Sequence, residues 1–141
     1  VKDMYVGVPI VIGAKGVEGA IAPTGPLIVP EELAADNPIK KVAGDFTRSY
    51  EKTFGDGSRN AFAGYSYDGF LILDAAVPLA AKKAKPGTPE FRAALRDAIE
   101  SVKNVVGSHG VYSMGPKDHT GLDNRARVLV QVQGGSWRLM K

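Results

Sequence analysis

The sequence predicts an α/β fold of about three helices plus short strands and a C-terminal β-hairpin, and three observations carry that expectation. Stretches beginning near Asn37, Asn60 and Thr88 pair a helix-start residue with apolar residues at helical spacing. The segments on either side are β-branched and broken by Gly and Pro, as extended pieces are. Near the end, Gly134-Gly135 separates two extended runs by the two residues that a tight hairpin needs.

Taken in order, Tyr5 to Ile12 reads as an edge strand or extended loop, because Pro9 cannot donate to a sheet ladder. Gly13, Gly16 and Gly19 then mark a turn-rich passage into a second extended stretch over 20–29, which Pro23, Gly25 and Pro26 interrupt. Pro30-Glu31-Glu32 suits a short helical turn. The first long helix starts at Asn37-Pro38, a cap followed by Pro at the first helical position. Val42, Ala43, Phe46 and Tyr50 form its apolar face, and Gly55-Asp56-Gly57 ends it.

The second helix is expected over about 60–83. Phe62, Tyr65, Phe70, Ile72 and Leu73 lie in an apolar belt broad enough to imply burial on more than one side. Pro78 is expected to kink this helix or end its first part. The third has the clearest start, with Thr88 as cap, Pro89 at the first position and Glu90 at the positive end of the dipole. Phe91, Leu95, Ala98, Ile99 and Val102 make its apolar face, with Gly107 past its end. Residues 126–133 alternate as a strand, which the Gly-Gly turn returns into 136–140.

At 141 residues the chain is one compact unit by size. It has no apolar run long enough for a membrane helix. Eighteen Lys and Arg against fifteen Asp and Glu leave +3, too mild and scattered a charge to imply nucleic acid as a partner. With no cysteine there is no disulfide framework and no thiolate metal site. Val1-Lys2-Asp3 lacks both an initiator Met and a signal-peptide pattern, so the chain reads as a piece of something longer.

Candidate chemistry is sparse. Gly13-x-x-Gly16-x-x-Gly19 has neither dinucleotide-loop nor P-loop spacing and reads as turn glycines, so no cofactor is expected. His109 and His119, with Asp118 and Asp123, fall short of a metal set, and no metal is expected. Asp118-His119-Thr120-Gly121 looks like a turn in which Asp118 bonds its own backbone. Ser108, His109 and Asp118 can be written as a triad, yet no nucleophile elbow accompanies them. No catalytic residue is expected, and a small hydrolase built on His119 ranks last. Phe62, Tyr65 and Tyr67 are either core aromatics or an aromatic wall over a small ligand.

Several segments resemble one known family in one order. These are Gly16-Val-Glu-Gly19 with Gly25-Pro26-Leu27, Tyr50-Glu51-x-x-Phe54-Gly55 and Tyr67-Asp68-Gly69. They continue through Thr88-Pro89-x-Phe91-Arg92-x-x-Leu95 and Gly110-Val-Tyr112-Ser113 to Asp118-His119-x-Gly121-Leu122-Asp123, before a hairpin with Trp137. Together they resemble the C-terminal part of periplasmic solute-binding proteins of branched-chain amino-acid type ABC transporters, which have the type I periplasmic-binding-protein fold.

The resemblance implies a two-lobed binding protein of more than twice this length. Residues 1–36 would supply second-lobe and hinge strands, 37–106 helices returning to the first lobe, and 107–141 a hinge segment and terminal hairpin. It implies a non-enzymatic, periplasmic or extracellular component that binds an amino acid or an aromatic or organic acid for a membrane permease. A ligand-sensing receptor domain of the same fold is the second reading. Phe62 and Tyr65, and more weakly Tyr112 in the 110–113 segment, carry over as ligand contacts, while Asp68 caps or anchors its helix. The resemblance also implies faces left for an absent N-terminal portion or for self-association.

Overall fold

In a computed structural model, residues 17–140 are described, and they form three helices, five short strands and three 3-10 turns. The expected strand at 5–12, with Gly13 and Gly16, lies outside the described residues. Strand β1 is Ile21–Thr24, far shorter than the extended stretch expected over 20–29. Pro26 and Pro30 instead open successive 3-10 turns, Pro26–Ile28 and Pro30–Glu32, because each fixes φ where such a turn begins. Helix α1 is Pro38–Phe54, α2 is Ala61–Ala81 and α3 is Pro89–Ser101. Strands β2 (Val105–Val106) and β3 (Val111–Tyr112) pair antiparallel around the 107–110 turn.

Each helix start follows its expected cap. The Asn37 side chain accepts from Ile39 N at 2.9 Å, Asn60 from Ala63 N at 2.8 Å and Thr88 from Phe91 N at 3.2 Å. Pro78 does not end α2, which runs on to Ala81. Its missing N–H removes one bond in the last turn, where the helix is about to stop anyway.

β4 (Val128–Gln133) and β5 (Ser136–Leu139) form the expected hairpin over Gly134-Gly135, both at positive φ. β4 starts later than the residue 126 expected, because Asn124–Ala126 is a 3-10 turn that Asp123 caps through Arg125 N. The sheet order is β1-β4-β5, all antiparallel, with Ile21 opposite Gln131 and Thr24 opposite Val128. Gly19 closes the turn before β1, and Glu18 accepts from Gly134 N at 2.9 Å and Gly135 N at 3.3 Å. Gly19 thus serves a turn beside the terminal hairpin, as the spacing argument expected.

Burial is divided among three small clusters rather than gathered into one core. Ala76 and Ala80 of α2 meet Ala94, Ala98, Val102 and Met114. Leu27, Leu33, Ile39, Ala43 and Val111 pack between α1 and the proline turns. Ala22, Val29 and Val130 lie under the sheet. Across the α1–α2 connection, Arg59 is bound by both carboxylate oxygens of Glu51, at 2.9 and 3.1 Å, and by Glu31 at 3.0 Å. Hydrogen bonds from Arg59 hold the Glu51 carboxyl below its ordinary range.

The apolar belt of α2 is the largest departure from expectation. Its buried positions are the small or polar Gly64, Asp68, Ala76 and Ala80. Phe62, Phe70, Leu73 and Val77 are exposed, and Tyr65 is half exposed. A helix that is apolar all round gives no pattern from which to read its covered side. Here the small residues decide it, since they let α2 approach α3 and the 107–112 segment closely.

Candidate functional site

The most organised polar cluster lies where the first turns of α2 meet the 107–112 segment. Asp68, two turns beyond the Asn60 cap, points inward and is 1% exposed. Its Oδ1 accepts from Ser108 N at 2.5 Å, and its Oδ2 accepts from His109 N at 2.9 Å and from the Tyr112 hydroxyl at 2.7 Å. A buried carboxylate persists only when its lone pairs are filled this way. Asp68 therefore anchors the helix to the 107–112 segment, the second of the two roles, cap or anchor, that the resemblance implied. Burial, and then the hydrogen bond to Asp68, push the Tyr112 hydroxyl well above the ordinary phenol range.

His109 is 1% exposed and sits beside this anchor. Its Nε2 lies 3.1 Å from Ala61 O, and a carbonyl only accepts, so Nε2 carries the proton. Nδ1 is then a bare acceptor, buried and with no hydrogen-bond partner among the described residues. Two glycines make room for the ring. A Cβ on Gly64 would stand 2.7 Å from Nε2, and one on Gly25 would stand 2.7 Å from Cε1 and nearer still to Nδ1. Tyr65 closes one face, with ring centroids 4.0 Å apart and planes 14° from parallel.

Burial pushes the His109 pKa below its ordinary value, against the opposing pull of the Asp68 charge. A basic group whose folded pKa is depressed contributes stability that is complete above the unfolded value of about 6.5 and is lost as pH falls below it. Urea midpoints should therefore drop between pH 7.5 and 5.5. His109→Gln should flatten that slope, and an unchanged slope in the variant would remove His109 as its cause.

The other aromatics divide. Tyr65 and Phe62 face outward from the first turns of α2, at 50% and 69% exposure, so neither is core. Tyr67 turns the other way and stacks on Phe46 at 4.8 Å. Tyr112 is buried with its hydroxyl committed to Asp68, so the structure links Tyr112 to Tyr65 through the Asp68–His109 cluster. The sequence missed His109 as the centre of this cluster. Its signal was faint, because Gly25 and Gly64 are the glycines that admit the ring and nothing in their spacing marks them as partners.

The residues of the conceivable hydrolase are hydrogen-bonded to partners other than one another. Ser108 Oγ donates to Gly64 O at 3.3 Å, and Asp118 Oδ1 accepts from Thr120 N and Gly121 N, both at 3.0 Å, as the turn reading expected. Asp123 is fixed by Arg125, whose hydrogen bond first of all lowers its pKa to about 2. His119 is exposed and pairs with Glu100 at 3.1 Å beside a shallow groove of about 370 Å³ lined by Arg92, Leu95, Ile99 and Met114. Among the described residues no group of three His, Cys, Asp or Glu side chains is placed to hold a metal.

No protein-family model matches the chain, and no curated protein does. Solved structures do. An extracellular ligand-binding receptor from Rhodopseudomonas palustris is 42% identical, with a TM-score of 0.87 over 94% of this chain and 37% of the receptor. A Rhodospirillum rubrum protein, named as a branched-chain amino acid ABC transporter, is 25% identical with a TM-score of 0.62, over 99% of this chain and 35% of its own. A type 1 periplasmic binding protein from Bordetella pertussis Tohama I, at 21% identity, shares the fold with a TM-score of 0.63 over 91% of this chain and 34% of its own. The chain thus spans about 37% of the length of the receptors it matches at high identity. Sequence and fold agree over nearly all of its residues, and the chain has part of the type I periplasmic-binding-protein fold, similar to a portion of these extracellular ligand-binding receptors.

Proposed function

We propose that the chain is part of an extracytoplasmic solute-binding component of an ABC transporter, which captures a small amino acid or an aromatic or organic acid and presents it to a membrane permease. The likeness to an extracellular ligand-binding receptor over 94% of the chain carries this reading. Phe62 and Tyr65 form one wall of the ligand site. They are large, outward-facing and fixed at the capped start of a helix, as a wall over a flat or apolar ligand needs to be. Tyr112 supports that wall through Asp68.

In this reading residues 1–36 belong to the second lobe and hinge, 37–106 to helices of the first lobe, and 107–141 to a hinge segment and the terminal hairpin. The outward face of α2, with Phe70, Leu73 and Val77, is then covered by the remainder of a longer polypeptide or by a second copy. The protein works outside the cytoplasm, in the periplasm or beyond the cell. A sensing role is the neighbouring reading, since the Rhodopseudomonas relatives are named receptors.

The test is a thermal-shift panel of amino acids and aromatic acids, run on the chain with all the polypeptide it is encoded with. A ligand at a hundred times its Kd should stabilise by about 2.7 kcal/mol. Phe62→Ala should leave the unliganded melting temperature in place, because the side chain is exposed, while reducing the ligand-induced rise. No rise with any member of the panel removes the solute-binding reading.

A further inference from the structure

We infer that neutral His109 is the positioning residue that fixes Tyr65 at the ligand wall, and that protonation of His109 at Nδ1 releases Tyr65. The inference rests on Tyr65 being a ligand contact, and it adds acid-sensitivity to that site. The walls around the imidazole differ in kind. On its edges stand the backbones of Gly25 and Gly64, each so near that no Cβ fits. Above it lies Tyr65, a half-exposed side chain rather than backbone. Nε2 is held by Ala61 O, which leaves Nδ1 as the atom that gains a proton, and it has no hydrogen-bond partner among the described residues.

Among the described residues the ionisable groups around the ring are few. From α2 come Tyr65, stacked on the ring, and Asp68, whose carboxylate is already filled by Ser108 N, His109 N and Tyr112. From β3 comes Tyr112, whose hydroxyl is committed to that same carboxylate. From the 25–27 segment come Gly25 and Leu27, neither of them ionisable. Asp68 attracts the imidazolium but has no direct bond to Nδ1, so the new N–H must find water or a rearranged acceptor. Glycine backbone cannot yield without unmaking the proline turn or α2. The ring therefore tilts toward the Tyr65 side chain, which is softer than the glycine backbones, and Tyr65 loses its stacked position. The charge change thereby reaches a surface residue through a single contact.

The experiment follows ring signals of the protein labelled with ¹³C at histidine and tyrosine, from pH 8 to pH 5, with Trp137 fluorescence read in parallel. His109 should titrate below the ordinary imidazole value, and the Tyr65 signals should move with the His109 midpoint while Trp137 still reports a folded protein. In His109→Gln the Tyr65 signals should stay constant across that range. In Tyr65→Leu, with the cover reduced, the His109 midpoint should rise. Tyr65 signals that ignore the His109 transition overturn the inference, and so does a Tyr65 change that arrives only with global unfolding. Because the readout is ring position, a failed ligand panel leaves this result standing, and a failed titration leaves the ligand result standing.

Discussion

Asp68→Ala should cost about 3–9 kcal/mol, a large share of the roughly 5–15 kcal/mol that holds an ordinary domain folded. The substitution strips the acceptor from Ser108 N, His109 N and the Tyr112 hydroxyl together, and all three donors are buried. Each buried donor left unpaired costs about 1–3 kcal/mol. Tyr112→Phe removes one donor and leaves the carboxylate two partners, so its cost should be about 1 kcal/mol. Because the groups form one network, the double variant should be less destabilised than the sum of the singles. Chemical denaturation of the four proteins measures this cycle. A loss under about 1 kcal/mol for Asp68→Ala would show that the cluster does not tie α2 to the 107–112 segment.

Among the described glycines, Gly25→Ala should be the most damaging methyl addition, at about 3 kcal/mol. Backbone strain is not the reason. Gly25 has φ −75° and ψ 152°, a conformation open to any residue, and on that ground alone alanine would stabilise slightly. The damage is steric, because the new methyl overlaps the His109 ring at one edge while the close backbone of Gly64 stands at the other. Removing the obstacle should therefore restore much of the loss. Gly25→Ala combined with His109→Ala should be more stable than the sum of the two single effects predicts, as melting temperatures of the four proteins can show. Simple additivity would mean that the methyl and the imidazole do not compete for the same space.

What was legible in the sequence was whatever neighbouring residues decide among themselves. Asn37, Asn60 and Thr88 cap helices with backbone groups two or three residues away, so their roles can be read locally. The same holds for the Gly134-Gly135 turn and for Asp118 folding back on Thr120 and Gly121. The candidate site was half legible. Tyr65 and Phe62 could be picked out as an aromatic pair, but their exposure depends on which side of α2 finds a partner, and an apolar-all-round helix does not say. Asp68 could be read as an anchor but not what it anchors to, since its partners lie some forty residues on. The burial of His109 was hidden for the same reason, being set by Gly25, Gly64 and Tyr65 from distant parts of the chain.

The sheet that closes the molecule also fixes the order in which it can be completed on the ribosome. Thr24 of β1 pairs with Val128 of β4, so β1 leaves the exit tunnel long before its partner has been made. At about 5–20 residues per second, that wait lasts roughly 5–20 s. During it β1 is a short β-prone segment with a free edge, the kind of segment that pairs with the wrong chain. Pro23 lies in the middle of β1 and withholds one N–H from any such partner. The residue that makes this strand hard to recognise in the sequence thus also protects the nascent chain until β4 arrives.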